Sequence, residues 1–590
     1  MDVKRSRAVP SRPPSPIVSL SPQAKIVLRR RYLAKNRQGR TTETATQMFW
    51  RIATDIAKAE RRYSSRTLPG ETARRFYDAM ARLEFLPNSP TLMNAGRPLQ
   101  QLAACFVLPV EDSLSSILEA VKQQALIHQS GGGTGFSFSR LRPKNDYVAS
   151  TSGIASGPLS FMRIFNLTTD VIKQGGTRRG ANMGILRVDH PDILEFIALK
   201  QNPTEMTNFN LSVGITEGFM RALERGRRYD LLNPRTGKST RRLPAQFVFD
   251  QIVEGAWEAG EPGVIFLDKV NDANPTPKLG DIEATNPCGE QPLLPYESCT
   301  LGSINVAKFI LPGRSQPSID YQRLSDTIEL ALRFLDNVID RNHYPFHQIE
   351  AATLRTRKIG LGLMGFADLL INLKVSYDSD AALDIAESLM GFVQSKAHQA
   401  SRELASERGV FPAYGGSLLQ RQHDRRRNAT VTTIAPTGTI SLIANCSPGI
   451  EPLYAVHVVR RALEGLSFTM LHPTFVRMIR AHRLNLAQIR SELEANPSIQ
   501  HLSRIPPEIR RLFVTAHDIS PSRHVTIQAA FQRYSDSGVS KTINMPSTAS
   551  KSDVAKAFLL AYRLGCKGLT VFRTGSRDHQ VLSCSPTQPC

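Results

Sequence analysis

Cysteine is scarce in this chain. There are seven in 590 residues: Cys105, Cys288, Cys299, Cys446, Cys566, Cys584 and Cys590. A sparse, odd-numbered set excludes the disulfide framework of a small secreted protein. No CxxC occurs and no paired Cys/His spacing suggests a zinc site, so no metal-ligating set is expected. Long apolar runs are also missing, and nothing approaches the roughly 20 residues needed to cross a bilayer. The N-terminus is basic but runs into Pro and Ser, which argues against a secretory signal and leaves the cytoplasm as the expected location. Acidic residues are outnumbered, 52 against 74 Lys/Arg, for a net charge of +22. That surplus does not point to nucleic acid, because residues 1–40 alone hold eleven Lys/Arg against Asp2. A solvated leading segment accounts for much of it, and a cationic surface would also gather anionic nucleotides.

What is present reads as an α/β enzyme. Residues 1–22, with PSRPPSP inside, suit a disordered basic leader. Residues 23–84 carry helical periodicity in TQMFWRIATDIAKAERRY and ETARRFYDAMARLEF, with LPNSP stopping the second helix. From 85 to 574, strand-like runs (CFVLPV, GFSFSRL, MGILRV, NLSVGIT, GVIFL, ATVTTIAP) alternate with helical ones, which implies a sheet flanked by helices. Residues 459–540 read as a helical insertion or subdomain, and 575–590 as a mobile tail. Two glycine-rich motifs are decoys. Gly131–Gly135 lacks GxGxxG spacing and precedes a strand. Thr236-Gly237-Lys238-Ser239 has Leu232 where a phosphate-binding P-loop needs Gly, and suits a hairpin better.

The densest chemical signal is Asn286-Pro287-Cys288-Gly289-Glu290, followed by Glu297-Ser298-Cys299. Pro and Gly around Cys288 predict a tight loop. Within five residues it offers an amide, a thiol and a carboxylate, a set suited to binding and deprotonating hydroxyl groups. Ala435-Pro436-Thr437-Gly438-Thr439-Ile440 follows a strand and precedes a helix, where backbone N–H groups can hold an anion.

NPCGE with SCTLGSIN resembles the active-site loop of ribonucleotide reductases. FLPNSPTLMNAG, QLAACFVLPVEDSL, SGGGTGFSFSRLRP, GIASGPLSFMRIFN, QGGTRRGANMGIL, GLGLMGFADLL and APTGTISLIANCSPGIEP extend that resemblance, in order, over most of the chain. It implies a ten-stranded α/β barrel made of two antiparallel five-stranded halves, with a helical N-terminal region. Carried over residue by residue, it makes Cys288 the thiyl-radical cysteine and Cys105 with Cys299 the reducing pair. Asn286 and Glu290 would hold the ribose hydroxyls. Ser89, Ala104, Gly133, Thr437, Gly438, Thr439 and Ile440 would hold the substrate. Related enzymes often have Ser where this chain has Ala104, so one hydroxyl contact is missing from the pattern. Asp112, Ser113, Leu114, Arg142 and the loop from about 149 to 158 match the region that takes a deoxynucleotide effector at a dimer interface. The resemblance further implies a homodimer, a ribonucleotide substrate (diphosphate rather than triphosphate), and thioredoxin or a similar dithiol as reductant. Cys584 and Cys590 form a C-x5-C that could carry reducing equivalents to the buried pair. Related enzymes space that pair more closely.

Three radical sources occur in the family. No tyrosine follows Tyr562, where metal-subunit-dependent versions use a tyrosine pair, and Leu564–Thr570 does not match a glycyl-radical segment. LSPQAKIVLRRRYL, MFWRIATDIAKAE and IANCSPGIEPLYA are similar to the cobalamin-dependent class, which implies adenosylcobalamin as cofactor. A large chain served by a metal-radical subunit, or a nucleotide-binding homologue without chemistry, are the two other readings.

Overall fold

The computed structural model of the protein describes residues 13, 18–63, 69–148, 152–172, 180–313, 316–462, 466–495, 498–576 and 582–583. Cys584 and Cys590 lie outside these, as do nearly all of residues 1–17.

Helices form where the sequence supplies both a cap and an apolar face. Ser21 caps Pro22–Arg31, and Thr44 with Gln47 makes a capping box on Ala45–Ala57. Pro69–Ala81 follows and packs against Ala45–Ala57. Their apolar faces merge with helix Tyr321–Arg341, where Phe76 and, from the chain just beyond, Phe85 meet Phe334 edge-on. A buried ionic network closes this seam. Glu60 pairs with Arg408 and Arg333, and Asp336 with Arg408 and Arg357. The LPNSP stretch does more than end a helix: Phe85–Pro87 is a short strand, and Asn88 caps a new helix, Ser89–Asn94.

The remainder is a barrel. Strands Cys105–Val107, Gly133–Ser137, Asn182–Arg187, Phe209–Ile215 and Gly263–Phe266 lie parallel in that order. Strands Ser298–Asn305 and Ile359–Met364, the extended segment 430–434, the segment through Val539 into Thr542–Met545, and Gly568–Arg573 form a second parallel set. The two sets meet antiparallel at both seams, Cys105 opposite Cys299 and Val264 opposite Leu569. Ten strand positions in two opposed halves close into a ring, the architecture that the resemblance implies. Helices Leu114–Ser130, Pro158–Val171, Ala245–Ala259, Asp380–Arg408, Pro521–Arg533 and Lys551–Arg563 are distributed among its flanking elements.

The helical reading of 459–540 misses its start, where His457–Ala462 and Leu466–Leu471 pair as a hairpin. Helices Pro473–Ala481 and Pro507–Leu512 follow, around a separate small core containing Phe475, Ile479 and Phe513. The Thr236–Ser239 stretch lies at the turn of a hairpin, Arg228–Leu232 against Ser239–Pro244, with Gly237 left-handed at φ 68°. Among the described residues no helix is long and apolar enough to cross a membrane.

Candidate active site

A two-residue ladder, Ala284–Thr285 against Pro292–Leu293, carries the 286–291 turn into the barrel. The turn is tied down internally. Gly289 N donates to Asn286 O at 3.0 Å, and Gln291 N donates to the Asn286 side-chain oxygen at 2.9 Å. Both barrel halves grip it. Asn210 donates its amide to Pro287 O at 2.7 Å from one side. From the other, Thr433 Oγ1 and Gly538 N donate to Glu290 O at 3.0 and 2.8 Å. The glycine-rich strand explains itself here. A Cβ on Gly135 would stand 1.7 Å from Thr285 O, and one on Gly133 would stand 2.9 Å from Pro287 Cγ. Side chains at those positions would block the loop.

The three thiols gather around this turn. Cys288 is exposed and faces a cavity of about 640 Å³ that Met183, Asn210, Pro436 and Gly438 also line. Asn286 and Glu290 are buried. The Asn286 amide donates to Cys105 Sγ at 3.1 Å. Cys105 stands directly across the antiparallel seam from Cys299, both buried in the barrel's inner cluster. Burial raises the Cys105 thiol well above its ordinary pKa, and the charges of Glu290, Cys299 and Cys288 add to this. Burial likewise raises Cys299, with Lys358 opposing it. Both thiols therefore keep their protons at neutral pH. One chain segment thus holds an exposed thiol, an amide and a carboxylate beside a protonated dithiol. Such a set can abstract a hydrogen atom, accept a hydroxyl proton, and deliver a proton with two electrons.

The other expected substrate residues cluster nearby. Ala104 accepts from Gly133 N at 2.9 Å and donates to Cys299 O at 3.2 Å, so its backbone links the glycine strand to the dithiol. Thr437 is left-handed (φ 51°), and its Oγ1 accepts from Gly449 N at 2.7 Å. Ile440 opens the short helix Ile440–Ala444. Two neighbouring residues of the N-terminal region bind the two halves of this set. The Tyr32 hydroxyl is 2.7 Å from Ser89 Oγ, and Arg31 donates to Thr439 Oγ1 at 3.3 Å. Sequence reasoning missed Arg31, Tyr32 and Asn210. The basic run at 29–31 was visible, but nothing local ties it to a segment 408 residues away.

Asp112, Ser113, Leu114 and Arg142 form a separate group. Arg142 pairs with Asp112 at 2.8 Å and also donates to Tyr147 O at 3.2 Å. Ser113 caps helix Leu114–Ser130, and Leu114 is exposed. Of the loop from 149 to 158, residues 149–151 lie outside the described ones. Cys566 is buried with its thiol raised to about 12 by burial, which fits a structural residue. Cys446 is half-buried in the cavity wall.

Comparison with known proteins follows the same division of the chain. Residues 103–572 match the family model "Ribonucleotide reductase, barrel domain", and residues 18–100 match "Ribonucleotide reductase, all-alpha domain". A vitamin B12-dependent ribonucleoside-diphosphate reductase of Thermoplasma acidophilum is 48% identical over 612 residues, covering 94% of this chain and 79% of that protein. One from Mycobacterium tuberculosis is 48% identical over 576 residues, covering 97% and 80%. Among solved structures, the class Id ribonucleotide reductase alpha subunit of Actinobacillus ureae superposes with a TM-score of 0.77 at 24% identity, covering 94% of this chain and 97% of that one. The last likeness bears on the fold alone.

Proposed function

The chain belongs to the ribonucleotide reductase family, in its vitamin B12-dependent branch, and from that premise we propose how its residues divide the chemistry. The enzyme reduces ribonucleotides to 2′-deoxyribonucleotides with adenosylcobalamin as cofactor and a dithiol as reductant. Cys288, once it has lost its hydrogen atom, takes the 3′ hydrogen of the ribose. Glu290 accepts the 3′-hydroxyl proton, and Asn286 holds the neighbouring hydroxyl in line. The protonated Cys105 gives its proton to the departing 2′-hydroxyl, which leaves as water. Cys105 and Cys299 together supply two electrons and the hydrogen that replaces the lost hydroxyl at the 2′ carbon, closing into a disulfide. Glu290 returns its proton to the 3′ oxygen, and Cys288 gives the 3′ hydrogen back to the 3′ carbon. The observation that carries these roles is the turn itself: one rigid loop, braced by both barrel halves, puts Asn286 on the sulfur of Cys105 while turning Cys288 to the cavity.

That cavity fits the cofactor. It opens onto the Cys288 thiol, and its wall mixes apolar side chains (Leu453, Tyr454, Phe572) with polar ones (Ser447, Asn544), as a large amphipathic ligand requires. When bound, adenosylcobalamin supplies a carbon radical from its weak cobalt–carbon bond. The side chains just named would hold it, and the braced loop would keep Cys288 facing it.

Substrate phosphates would lie against Ser89 and Thr437–Ile440, and a diphosphate is the preferred substrate, as in the relatives' names. A deoxynucleotide effector would use Asp112, Ser113, Leu114 and Arg142. A homodimer is the proposed assembly, supported by exposed Leu118, Leu126, Leu167 and Val171 on the adjoining helices Leu114–Ser130 and Pro158–Val171. Thioredoxin, through Cys584 and Cys590, is the proposed source of electrons. Purified protein given adenosylcobalamin, dithiothreitol and a ribonucleoside diphosphate should release deoxynucleotide with no second protein. Turnover that begins only on adding a metal-radical subunit would overturn the cofactor-based reading.

A further inference from the structure

Lys358 is a deeply buried cation that the reaction above does not use. Its Nζ donates to Glu297 Oε2 at 2.6 Å, with both side chains almost fully buried. The Glu297 carboxylate also accepts from Leu294 N and Thr356 Oγ1, each at 2.7 Å, so the pair is fixed in place. A buried ion pair is seldom a net stabiliser, which directs attention to its neighbours.

Strand register identifies them. Side chains alternate along a strand. Ile359 and Leu361 belong to the core outside the barrel, so Lys358, one position earlier, takes the inward direction. Thr300 pairs with Ile359, and extending that parallel register by one residue sets Cys299 beside Lys358. On its other side Cys299 pairs with Cys105. Cys105, Cys299 and Lys358 thus form a row across three strands, with the cation on the Cys299 side only. The remaining charges facing Cys299 are Glu297 and Glu290, and both act on it more weakly than Lys358 does. Cys105, by contrast, meets the Cys288 loop through Asn286, while Cys299 is wholly inaccessible.

We propose that Lys358 is a positioning residue that makes Cys299 the leaving sulfur whenever the Cys105–Cys299 disulfide is reopened. This rests on the assignment of that pair as the reducing dithiol. An incoming thiolate forms a bond to Cys105 Sγ, the Cys105–Cys299 bond breaks, and its electron pair departs on Cys299 Sγ under the field of Lys358. The second thiol of the reductant then attacks the mixed disulfide, releases Cys105 and leaves as the oxidised partner. The two released sulfurs take up two protons from solvent. A leaving thiolate that is stabilised leaves faster, so the cation sets both the rate and the direction of attack.

The test uses full-length enzyme whose disulfide has been formed by turnover without reductant. Glutathione is added, the reaction is quenched in acid, free thiols are alkylated after denaturation, and peptides are mapped by mass spectrometry. The glutathione adduct is expected on Cys105, with Cys299 alkylated; an adduct chiefly on Cys299 overturns the proposal. In Lys358→Met, dithiothreitol should reopen the disulfide about tenfold more slowly, with part of the adduct moved to Cys299, and Lys358→Arg should restore most of the rate. A wild-type rate in folded Lys358→Met would also overturn it. If that variant does not fold, the wild-type adduct map still decides. Should no Cys105–Cys299 disulfide form during turnover, the assignment of the reducing pair fails instead, which is a separate result.

Discussion

Exchanging one sulfur for oxygen tests the centre of the reaction. Cys288→Ser exchanges a single atom and keeps the turn, whose braces run through Asn286, Pro287, Gly289, Glu290 and Gln291. Turnover should vanish, while equilibrium nucleotide binding, followed by calorimetry, should stay nearly intact. Equal loss of both would make Cys288 a structural residue. A second single-residue test concerns Asp336. Burial alone would raise its carboxyl, but Arg357, Arg427 and Arg408 outweigh burial and hold it well below the usual carboxylate range. Asp336→Asn removes the counter-charge those guanidiniums share, leaving Arg408 to Glu60 and Arg357 to Asp340, at an expected cost of about 3–5 kcal/mol in urea unfolding. A loss under about 1 kcal/mol would mean that the network relaxes around water. The residues legible in the sequence were those whose chemistry is rare and local, such as Cys288 with Asn286 and Glu290. Asn210 and Lys358 were not, because each acts on a segment that only folding brings near. Asn210 reads as an ordinary outward strand residue, and Lys358 as one more cation in RTRKIG.

At the level of the element, the fit between strand and loop makes the strongest claim. Gly135→Ala places a methyl group against a backbone carbonyl, which cannot rotate away as a side chain could. The loop must shift, and displacement of reacting groups by about 1 Å can cost roughly 100-fold in rate. The variant is therefore expected to lose about that much kcat with little change in helix content by circular dichroism. Wild-type kcat in Gly135→Ala would show that the loop is not seated as described. The same crowding explains which strands the sequence concealed. Short apolar runs marked Phe209–Ile215 and Asn182–Arg187 as strands, but Ser298–Asn305 and Ile359–Met364, broken up by Ser, Thr, Asn and Gly, went unseen. Every residue of those two strands is buried. With both faces covered, no polar period remains to be read. The 430–434 segment was seen as a strand, yet it joins its neighbours only through isolated bridges at Thr432 and Ile434. Closure of the ring was legible only through family resemblance, since no local pattern says which strands meet at a seam.

For the whole molecule, acid should weaken the fold before it titrates the carboxylates. Burial lowers the affinity of His190, His517 and His524 for protons, most strongly at His524, where Lys541 adds to the effect. The unfolded chain takes up protons at these histidines as pH falls through about 6.5, while the folded chain does not, so stability declines below that point. Melting temperature should fall between about pH 6.5 and 5, and His524→Gln should flatten that limb. An unchanged limb in His524→Gln would place the acid sensitivity elsewhere. Assembly gives the last test, because Ser113 and Leu114, two of the residues proposed for the effector, open the helix that carries part of the exposed apolar face. Ser113 caps Leu114–Ser130, and Leu118 stands exposed one turn along it, with Leu167 exposed on the neighbouring helix. A second copy that covers those leucines would place its surface beside Asp112 and Arg142, so dimerisation and effector response should fail together. Leu167→Glu is expected to sediment as a monomer and to lose the effector-dependent change in substrate preference. A variant that is monomeric yet still switches preference would mean that each chain reads the effector alone, and the leucine face would then need a different occupant.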